Sequence, residues 1–295
     1  MTSVAVVAHA GKTLGGGLAE LRRLLAANGV EDPAWFEVPK SRFAPECVRE
    51  AVEGGADLLF VWGGDGMVQR CIDALGDAPV VLAILPAGTG NLLARNLDVP
   101  LDLERAVDVG LHGARRTIDV GRVNGERFAV MAGTGFDALM IRDADRELKG
   151  RLGRVAYVWT GAKHLRNIEP FKVKIDVDDR RWFDGRAGCV LVGNVSKVFG
   201  GIEAFDDASP EDGLLELGVV TAKGAVQWLR ALGRTAVGSA DASKFVQTTK
   251  ARKIRVRLDR KLPYELDGGD KKPKKQLKIE VEPSAVTVCV PDLSD

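Results

Sequence analysis

The chain has 295 residues, of which 45% are hydrophobic and 28% charged, and this composition excludes a disordered chain, which would be apolar-poor and strongly charged. The 42 lysines and arginines nearly balance the 41 aspartates and glutamates, so no overall field favours a nucleic-acid partner, and we expect none. The length predicts two domains. Glycine is abundant, with 34 residues, which indicates many tight turns or phosphate-binding loops.

The four cysteines are far apart, and no two of them have metal-ligand or redox spacing. We therefore expect reduced, buried thiols. The N-terminal segment lacks a charged region and no apolar stretch approaches the roughly 20 residues of a spanning helix. We expect no signal peptide and a cytoplasmic location, with peripheral attachment to the inner membrane face left open.

The first 112 residues alternate between short apolar runs and segments of helical periodicity. Fully apolar strands that alternate with helices predict a parallel sheet with helices on both faces, which is an α/β domain. The predicted strands are 4–8, 35–38, 58–62 and 80–85, and the predicted helices are 18–28, 45–53, 67–75, 91–97 and 103–111.

Beyond residue 120 the pattern changes to apolar–polar alternation, which predicts a mainly antiparallel β-sandwich. We expect an α/β domain over 1–120 and the sandwich over 121–283, with the segment 284–295 a candidate to return to the first domain. A turn at Asn124-Gly125 is predicted to join the first two strands of the sandwich. The predicted strands are 117–123, 127–132, 171–177, 189–192, 214–220, 254–258, 277–281 and 286–290, and the predicted helices are 137–166 and 225–237.

A first glycine-rich loop follows the apolar strand 58–62 and precedes a helix. It consists of Gly63, Gly64, Asp65, Gly66 and Met67. Its glycines allow the backbone to approach a ligand closely, and the helix that follows presents free N–H groups to an anion. Asp65 would repel a phosphate unless a cation or a substrate hydroxyl lies between them. A tight turn with a capping aspartate is the alternative interpretation.

A second loop, with Gly88, Thr89, Gly90 and Asn91, has the same strand–loop–helix context. Because loops at the carboxyl ends of adjacent parallel strands meet in one crevice, the two loops together predict one nucleotide site. Neither loop has the Walker or the Gly-x-Gly-x-x-Gly pattern.

With these loops the chain resembles the diacylglycerol kinase catalytic-domain family, which includes bacterial lipid kinases and sphingosine and ceramide kinases. The resemblance extends over nearly the whole chain and implies a nucleotide-binding α/β domain followed by a β-sandwich. The segments that carry it are Gly63–Gly66, Pro86–Asn91, Gly133–Asp137, Gly153–Tyr157, Asn194, Gly200-Gly201 and Ala208–Leu214.

Three positions near the loops depart from the family pattern. The usual first-strand Asn-Pro…Ser-Gly loop reads Ala8–Lys12, Met67 replaces a threonine, and Leu92 stands where aspartate is frequent. In the last of these the chain is similar to sphingosine kinases.

A fourth departure from the family pattern concerns the catalytic base that would accept the proton of the substrate hydroxyl. The family's Asp-Gly-Glu, whose glutamate is the proposed base, is matched by Asp267-Gly268-Gly269, and the next carboxylate is Asp270. We favour a one-residue shift that brings Asp270 into the role. The alternatives are a hairpin turn with acidic tips and a lost base.

The resemblance also implies ATP and Mg²⁺. Asp65 is the first candidate to act through the metal that accompanies ATP. A second Mg²⁺, carried over from the family, would take Asp212 with the carbonyls of Ser209 and Leu214. A capped turn is the alternative for this loop.

One stretch is strongly basic. Residues 244–278 contain 13 lysines and arginines against four acidic residues. Alternation places Lys253, Arg255 and Arg257 on one strand face, which suits an anionic membrane surface; a solvated, edge-protecting face is the alternative.

The leading functional hypothesis is therefore ATP-dependent phosphorylation of a lipid hydroxyl, as in diacylglycerol or a sphingoid-like lipid, in phospholipid metabolism. A soluble-substrate kinase of the NAD kinase or phosphofructokinase type is the second, although the later Asn-Glu pair of NAD kinases does not occur here. The third is an inactive nucleotide or lipid sensor. The sequence names neither the lipid nor the oligomeric state.

Overall fold

The computed structural model describes residues 2–135, 170–198, 202–205, 207–221 and 245–292. The chain divides into two compact units, one formed by Met1–Val120 with Pro283–Asp295 and the other by Gly121–Glu282. Several predictions lie outside the described residues, namely the two helices 137–166 and 225–237, the segment Gly153–Tyr157, the pair Gly200-Gly201, and Phe136 and Asp137.

The first unit alternates strands and helices in the predicted order. Its strands are β1 (Val4–His9), β2 (Ala34–Val38), β3 (Leu58–Gly63) and β4 (Val81–Pro86). Its helices are α1 (Gly17–Ala27), the short 3₁₀ turn Ser41–Phe43, α2 (Ala44–Glu53), α3 (Asp65–Leu75), α4 (Leu92–Asn96) and α5 (Leu103–His112).

The strands of the first unit form a parallel sheet in the order β4-β3-β1-β2. Phe60 and Trp62 of β3 pack into one apolar cluster with residues of α1 and α5. Leu59 and Val61 alternate with them and therefore point to the opposite face of the sheet. Both are fully buried, and α3 packs against this strand. The predicted parallel sheet with helices on both faces is therefore confirmed. Successive side chains of a strand point to opposite faces, so a strand that is apolar throughout must be covered on both faces.

The second unit is antiparallel. Its strands are β5 (Ala114–Val123, of which the last residues belong here), β6 (Glu126–Phe128), β7 (Met131–Gly135), β8 (Phe171–Val177), β9 (Arg180–Ala187), β10 (Cys189–Gly193), β11 (Lys197–Val198), β12 (Ile202–Glu203), β13 (Leu215–Val220), β14 (Val246–Ala251), β15 (Lys253–Leu266) and β16 (Gly269–Val290). The Asn124-Gly125 turn between β5 and β6 forms as predicted, with both residues at positive φ.

The long strand β15 organises this unit. Its first part pairs with β8 and its last part, Tyr264–Leu266, pairs with β7, which continues through β10 and β13 to β14. Inward residues of β8, β13, β15 and β16 form one apolar cluster, as alternation predicts for an antiparallel sandwich. From Pro283 onward β16 belongs to the first unit, where Val288 lies in parallel register with Leu82 of β4.

Some predicted boundaries were wrong. The run 127–132 is two strands, because the amides of Ala129 and Val130 leave the ladder to bind the Asp267 carboxylate. The runs 277–281 and 286–290 are one strand, β16. Strands β9 and β14 were not predicted.

All four cysteines lie within described segments, and none of them forms a disulfide. Cys71, Cys189 and Cys289 are buried and Cys47 is partly buried. Among the described residues, no helix is long and apolar enough to cross a membrane.

Candidate functional site

The two glycine-rich loops lie side by side at the carboxyl edge of the first unit's sheet. Strands β3 and β4 are adjacent, with Gly63 in register with Pro86. The amide of Ala87 donates to the carbonyl of Gly63 at 3.0 Å, so the loops are joined where they leave the sheet. The predicted meeting of the two loops is a consequence of this parallel register.

The loops touch at glycine backbone. A Cβ added at Gly88 would lie 2.4 Å from the Cα of Gly64, and one added at Gly64 would lie 3.0 Å from the Cα of Gly88. A Cβ at Gly63 would lie 2.5 Å from the Cβ of Met67. At Gly66, by contrast, an added Cβ would meet nothing within 4 Å apart from its chain neighbours and the backbone of its own helix. The glycines thus have two roles. Gly64 and Gly88 allow the loops to pack closely, and Gly66 leaves open space beside the first loop.

Asp65 links the first loop to the helix that follows the second. Its Oδ1 accepts hydrogen bonds from the amides of Leu92, at 2.6 Å, and Leu93, at 3.3 Å, which are the first residues of α4. Burial raises the pKa of the Asp65 carboxyl, and the amides of Leu93 and Leu92 act in the opposite direction. The other oxygen, Oδ2, faces Gly90, where an added Cβ would lie 2.9 Å away. Asp65 therefore caps α4 through one oxygen and keeps a second oxygen of the kind that Mg²⁺ prefers.

Asn91 shapes the second loop from within. It adopts a left-handed conformation with φ of 49° and is 6% exposed. Its amide nitrogen donates to the carbonyls of Pro86 and Gly88, and its Oδ1 accepts from the amide of Gly88, all at 2.9 Å. Thr89 is the exposed polar side chain of this loop.

A third loop lies at the same edge. Strand β1 is the other neighbour of β3, with Ala8 in register with Trp62, and the Trp62 indole donates to the carbonyl of Lys12 at 3.2 Å. The amide of Gly11 donates to Nδ1 of His9 at 3.1 Å. From the sequence, Lys12 or His9 of this loop is a candidate to approach phosphate, with a solvated loop as the alternative, and the parallel register places the loop at the same sheet edge as the two glycine-rich loops.

In the second unit, a lysine of β14 lies against the predicted metal loop. The Lys250 ammonium lies 3.3 Å from Oδ2 of Asp212 and 2.9 Å from Oε1 of Glu216, and it donates to the carbonyl of Asp207 at 2.8 Å. Oδ1 of Asp212 accepts from the amide of Leu214 at 3.0 Å. Among the residues that the structure describes, no group of three His, Cys, Asp or Glu side chains could hold a metal. The donor set around Asp212 does not fit a divalent ion, because the Lys250 ammonium already contacts Oδ2 of Asp212 and Oδ1 accepts from the Leu214 amide.

The two acidic residues of the last hairpin differ sharply. Asp267 and Gly268 form the turn, both at positive φ, and Asp267 is 3% exposed. Its carboxylate accepts from the amides of Ala129, at 2.7 Å, Val130, at 2.9 Å, and Met131, at 2.8 Å. Asp270 is exposed on β16. Asp267 therefore holds the β6–β7 connection in place, and its carboxylate is committed to that task.

Sequence reasoning passed over Glu265. It lies directly opposite Asp270 in the β15–β16 register and is 1% exposed. Directly opposed residues share a sheet face, yet Glu265 is buried while Asp270 is exposed. The alternation of Tyr264, Glu265 and Leu266, with an acid between two core residues, was the available signal.

The fold is a parallel α/β unit joined to an antiparallel β unit, with two glycine-rich loops side by side at the carboxyl edge of the parallel sheet. The profile described as diacylglycerol kinase catalytic domain matches residues 4–123. The profile described as YegS C-terminal NAD kinase beta sandwich-like domain matches residues 130–290.

Curated relatives agree with these profiles. The diacylglycerol kinase of Bacillus subtilis is 30% identical over 228 residues, which cover 76% of this chain and 75% of that protein. A Pseudomonas aeruginosa protein named "Probable lipid kinase YegS-like" is 32% identical over 250 residues, covering 84% and 81%. The chain belongs to the diacylglycerol kinase family of YegS-like lipid kinases.

Solved structures share the fold. A diacylglycerol kinase from Bacillus anthracis superposes with a TM-score of 0.81 at 24% identity, covering 98% of this chain and 97% of that one. An NAD kinase from Archaeoglobus fulgidus in complex with ATP gives a TM-score of 0.53 at 14% identity, covering 99% and 94%. At these identities the likeness concerns the fold alone.

Proposed function

We propose that this chain is an ATP-dependent lipid kinase, which transfers the γ-phosphoryl group of ATP to a hydroxyl of a lipid such as diacylglycerol or a sphingoid-like lipid. The observation that carries the proposal is the backbone contact between Gly64 and Gly88, which joins two glycine loops into one surface at the carboxyl edge of a parallel sheet. Membership of the lipid kinase family supports the choice of acceptor.

ATP would bind at the glycine loops. The first turn of α3 directs backbone N–H groups and the positive end of the helix dipole toward the loop, which favours phosphate. The space beside Gly66 and the exposed hydroxyl of Thr89 suit phosphate or ribose oxygens. The residues proposed to form this site are Gly63, Gly64, Asp65, Gly66, Met67, Gly88, Thr89, Gly90 and Asn91. Of these, the buried side chains of Met67 and Asn91 would shape the loops from beneath.

Mg²⁺, bound with ATP, would neutralise negative charge on the phosphates, and Oδ2 of Asp65 is the oxygen proposed to hold it. Asp65 also fixes the distance between the loops through its bonds to Leu92 and Leu93. Since phosphoryl transfer depends mostly on positioning and charge neutralisation, both tasks bear on the rate.

The chemical step is a displacement at phosphorus. The lipid hydroxyl oxygen forms a bond to the γ-phosphorus, the bond from that phosphorus to the β–γ bridging oxygen breaks, and ADP leaves with the electron pair. The hydroxyl proton passes to a carboxylate, for which Asp270 is our candidate. A weak base is sufficient, because loose transition states develop little charge on the nucleophile.

We further propose that an anionic membrane surface presents the lipid to the outer face of the second unit. Lys253, Arg255 and Lys278 are exposed there, and Arg255 lies directly opposite Lys278 in the β15–β16 register. Like charges in direct opposition are destabilising unless an anion lies nearby. Acidic residues lie opposite two of the cations, with Asp176 of β8 opposite Arg255 and Glu280 of β16 opposite Lys253. Within the described chain these three side chains form no ion pair.

A cavity of about 640 Å³ lies on this face, and its charged lining consists of those three cations with Arg122 and of the acids Asp176, Asp179 and Glu280. Asp176 is already neutralised, because it pairs with Arg181 and Arg257, and the Arg181 hydrogen bond lowers the pKa of its carboxyl. The lining has four basic and three acidic side chains, and with Asp176 paired the remaining excess is positive. This supports phosphate headgroups as the ligand, each basic residue contributing about 1 kcal/mol near an anionic surface.

The test of the proposed function is transfer of radiolabelled phosphate from ATP to a panel of acceptors. Diacylglycerol and sphingoid lipids in anionic vesicles are the expected acceptors. NAD and sugar phosphates in the same panel test for a soluble-substrate kinase. ATP binding without transfer to any acceptor would favour a sensor.

A further inference from the structure

Lys250 is the centre of a small oxygen cage in the second unit. Its Nζ atom contacts one carboxylate oxygen of Glu216 at 2.9 Å, one of Asp212 at 3.3 Å, and the backbone carbonyl of Asp207 at 2.8 Å. An ammonium has three N–H donors, so three oxygens satisfy it completely.

Sheet register brings the charges together. Glu216 on β13 lies directly opposite Lys250 on β14. The Glu216 side chain is 10% exposed, that of Asp212 30% and that of Lys250 36%. Lys250 is thus the cation that compensates a nearly buried carboxylate, which would otherwise carry a large desolvation cost.

The loop that precedes β13 is built around this cation. Asp212 accepts from the amide of Leu214 through one oxygen and faces Lys250 with the other. Gly213, between Asp212 and Leu214 in the chain, adopts φ of 69°, which turns the backbone sharply at this point. Two carboxylate oxygens and a carbonyl oxygen are also the ligands that a hard divalent cation prefers. The oxygen cage therefore has the composition of a divalent-cation site, and the Lys250 ammonium occupies the position of the cation.

We propose that the Lys250 ammonium replaces a divalent cation in this loop, so that segment 207–216 is held to strand β14 without metal. The proposal concerns the second unit alone and does not depend on which acceptor the protein phosphorylates. It implies that removing the lysine side chain exposes a site of two carboxylates and a carbonyl, which a metal could then fill.

The experiment compares the parent with Lys250→Ala in nucleotide-free protein, with EDTA and then with excess Mg²⁺ or Ca²⁺. In the parent we expect the same midpoint of thermal unfolding in both conditions. In Lys250→Ala we expect a midpoint several degrees lower in EDTA, partly restored by the divalent ion. Mn²⁺ titration followed by electron paramagnetic resonance should find one more bound ion in Lys250→Ala than in the parent.

Two controls make the result specific. Lys253→Ala removes an exposed lysine of β15, the next strand along the chain. Neither the lower midpoint in EDTA nor its recovery with metal should follow in this variant. Adding Asp212→Asn to Lys250→Ala should abolish the rescue and the extra Mn²⁺.

The proposal is overturned if EDTA lowers the midpoint of the parent and this effect disappears in Asp212→Asn, because the native loop would then hold a metal. It is equally overturned if Lys250→Ala folds but gains no ion. Should Lys250→Ala not fold, the parent and Asp212→Asn comparison still decides whether the native loop takes metal.

Discussion

Gly88 packs so closely on Gly64 that a Cβ on the former would lie 2.4 Å from the Cα of the latter. No real Cβ tolerates that distance to backbone, so an alanine must push the loops apart. The contact joins the ends of two neighbouring strands, and it therefore fixes the shape of the proposed phosphate site.

Gly88→Ala should abolish ATP binding while the chain remains folded. ATP should raise the unfolding midpoint of the parent by mass action, and this shift should disappear in the variant. The matched control is Gly218→Ala in β13, where the added Cβ makes ordinary contact at 3.4 Å with Phe205. An unchanged ATP shift in Gly88→Ala would remove the loops from the site.

A substitution at Gly66 can test contact with the ligand without changing the shape of the loop. Because an added Cβ would meet nothing within 4 Å apart from its chain neighbours and the backbone of its own helix, Gly66→Val should leave the midpoint without nucleotide nearly unchanged. If phosphate occupies that space, the same variant should weaken ATP binding measured by calorimetry. Normal ATP affinity would place the phosphates elsewhere.

Asp65 has a structural and a chemical task that two variants can separate. Asp65→Ala removes the cap on Leu92 and Leu93 and should cost about 0.5–2 kcal/mol of stability. Asp65→Asn keeps an oxygen acceptor for those amides, so its stability loss should be smaller. Both should lower kcat strongly, since each lacks the charge proposed to hold Mg²⁺. If Asp65→Asn keeps most of the parent's turnover, Asp65 is a cap and nothing more.

Local patterns predicted the first unit well, because its strands are wholly apolar and its loops are marked by glycine. Besides the short β11 and β12, strands β9 and β14 escaped prediction, and each of these two has a single described pairing partner. Edge strands of this kind are often polar, and β9 begins with Arg180 and Arg181. Such a sequence does not show the period of a buried strand.

For the candidate site, the sequence predicted which loops meet but not the contacts that their side chains make. Adjacent parallel strands were sufficient to bring Asp65 near Asn91, but not to show that Asp65 caps α4 and that Asn91 is turned inward. Likewise, Lys250 meets Asp212 only because β13 and β14 pair with Glu216 opposite Lys250. Contacts set by antiparallel register between distant segments leave no local signal.

The basic face of the second unit should bind anionic vesicles. Replacing Lys253, Arg255 and Lys278 together by glutamine should weaken binding on the order of 100-fold at low salt, since each contributes about 1 kcal/mol. Arg257 is left in place because Asp176 already holds it. Vesicle co-sedimentation at two salt concentrations measures the effect, which should shrink as salt screens the charges.

The matched control removes the same charge from the first unit, with Lys40, Arg42 and Arg49 replaced by glutamine. Vesicle affinity should then change little. Equal losses in the two triple variants would mean that only net charge matters, and binding to single-stranded DNA of similar strength would contradict a membrane role.

Asp267→Ala should be among the most destabilising substitutions in the second unit. It leaves the buried amides of Ala129, Val130 and Met131 without their acceptor, at a cost of about 3 kcal/mol or more. Asp270→Ala, on an exposed position two residues beyond the turn, should change stability by less than about 0.5 kcal/mol. Urea unfolding of the two variants measures both values, and similar midpoints would contradict the structural role of Asp267.

Asp270 and Glu265 are the two carboxylates that could accept the hydroxyl proton, and isosteric variants can tell them apart. Asp270 is exposed and Glu265 is 1% exposed, although they lie opposite each other on one sheet face. Loss of a general base typically lowers the rate about 10²–10⁴-fold. We expect this loss in Asp270→Asn, with ATP binding retained, and a smaller loss in Glu265→Gln. Single-turnover rates on an acceptor that the parent phosphorylates give the comparison free of product release. A large loss in Glu265→Gln together with parent-like rates in Asp270→Asn would move the base to the buried carboxylate, and parent-like rates in both would leave the proton transfer to solvent.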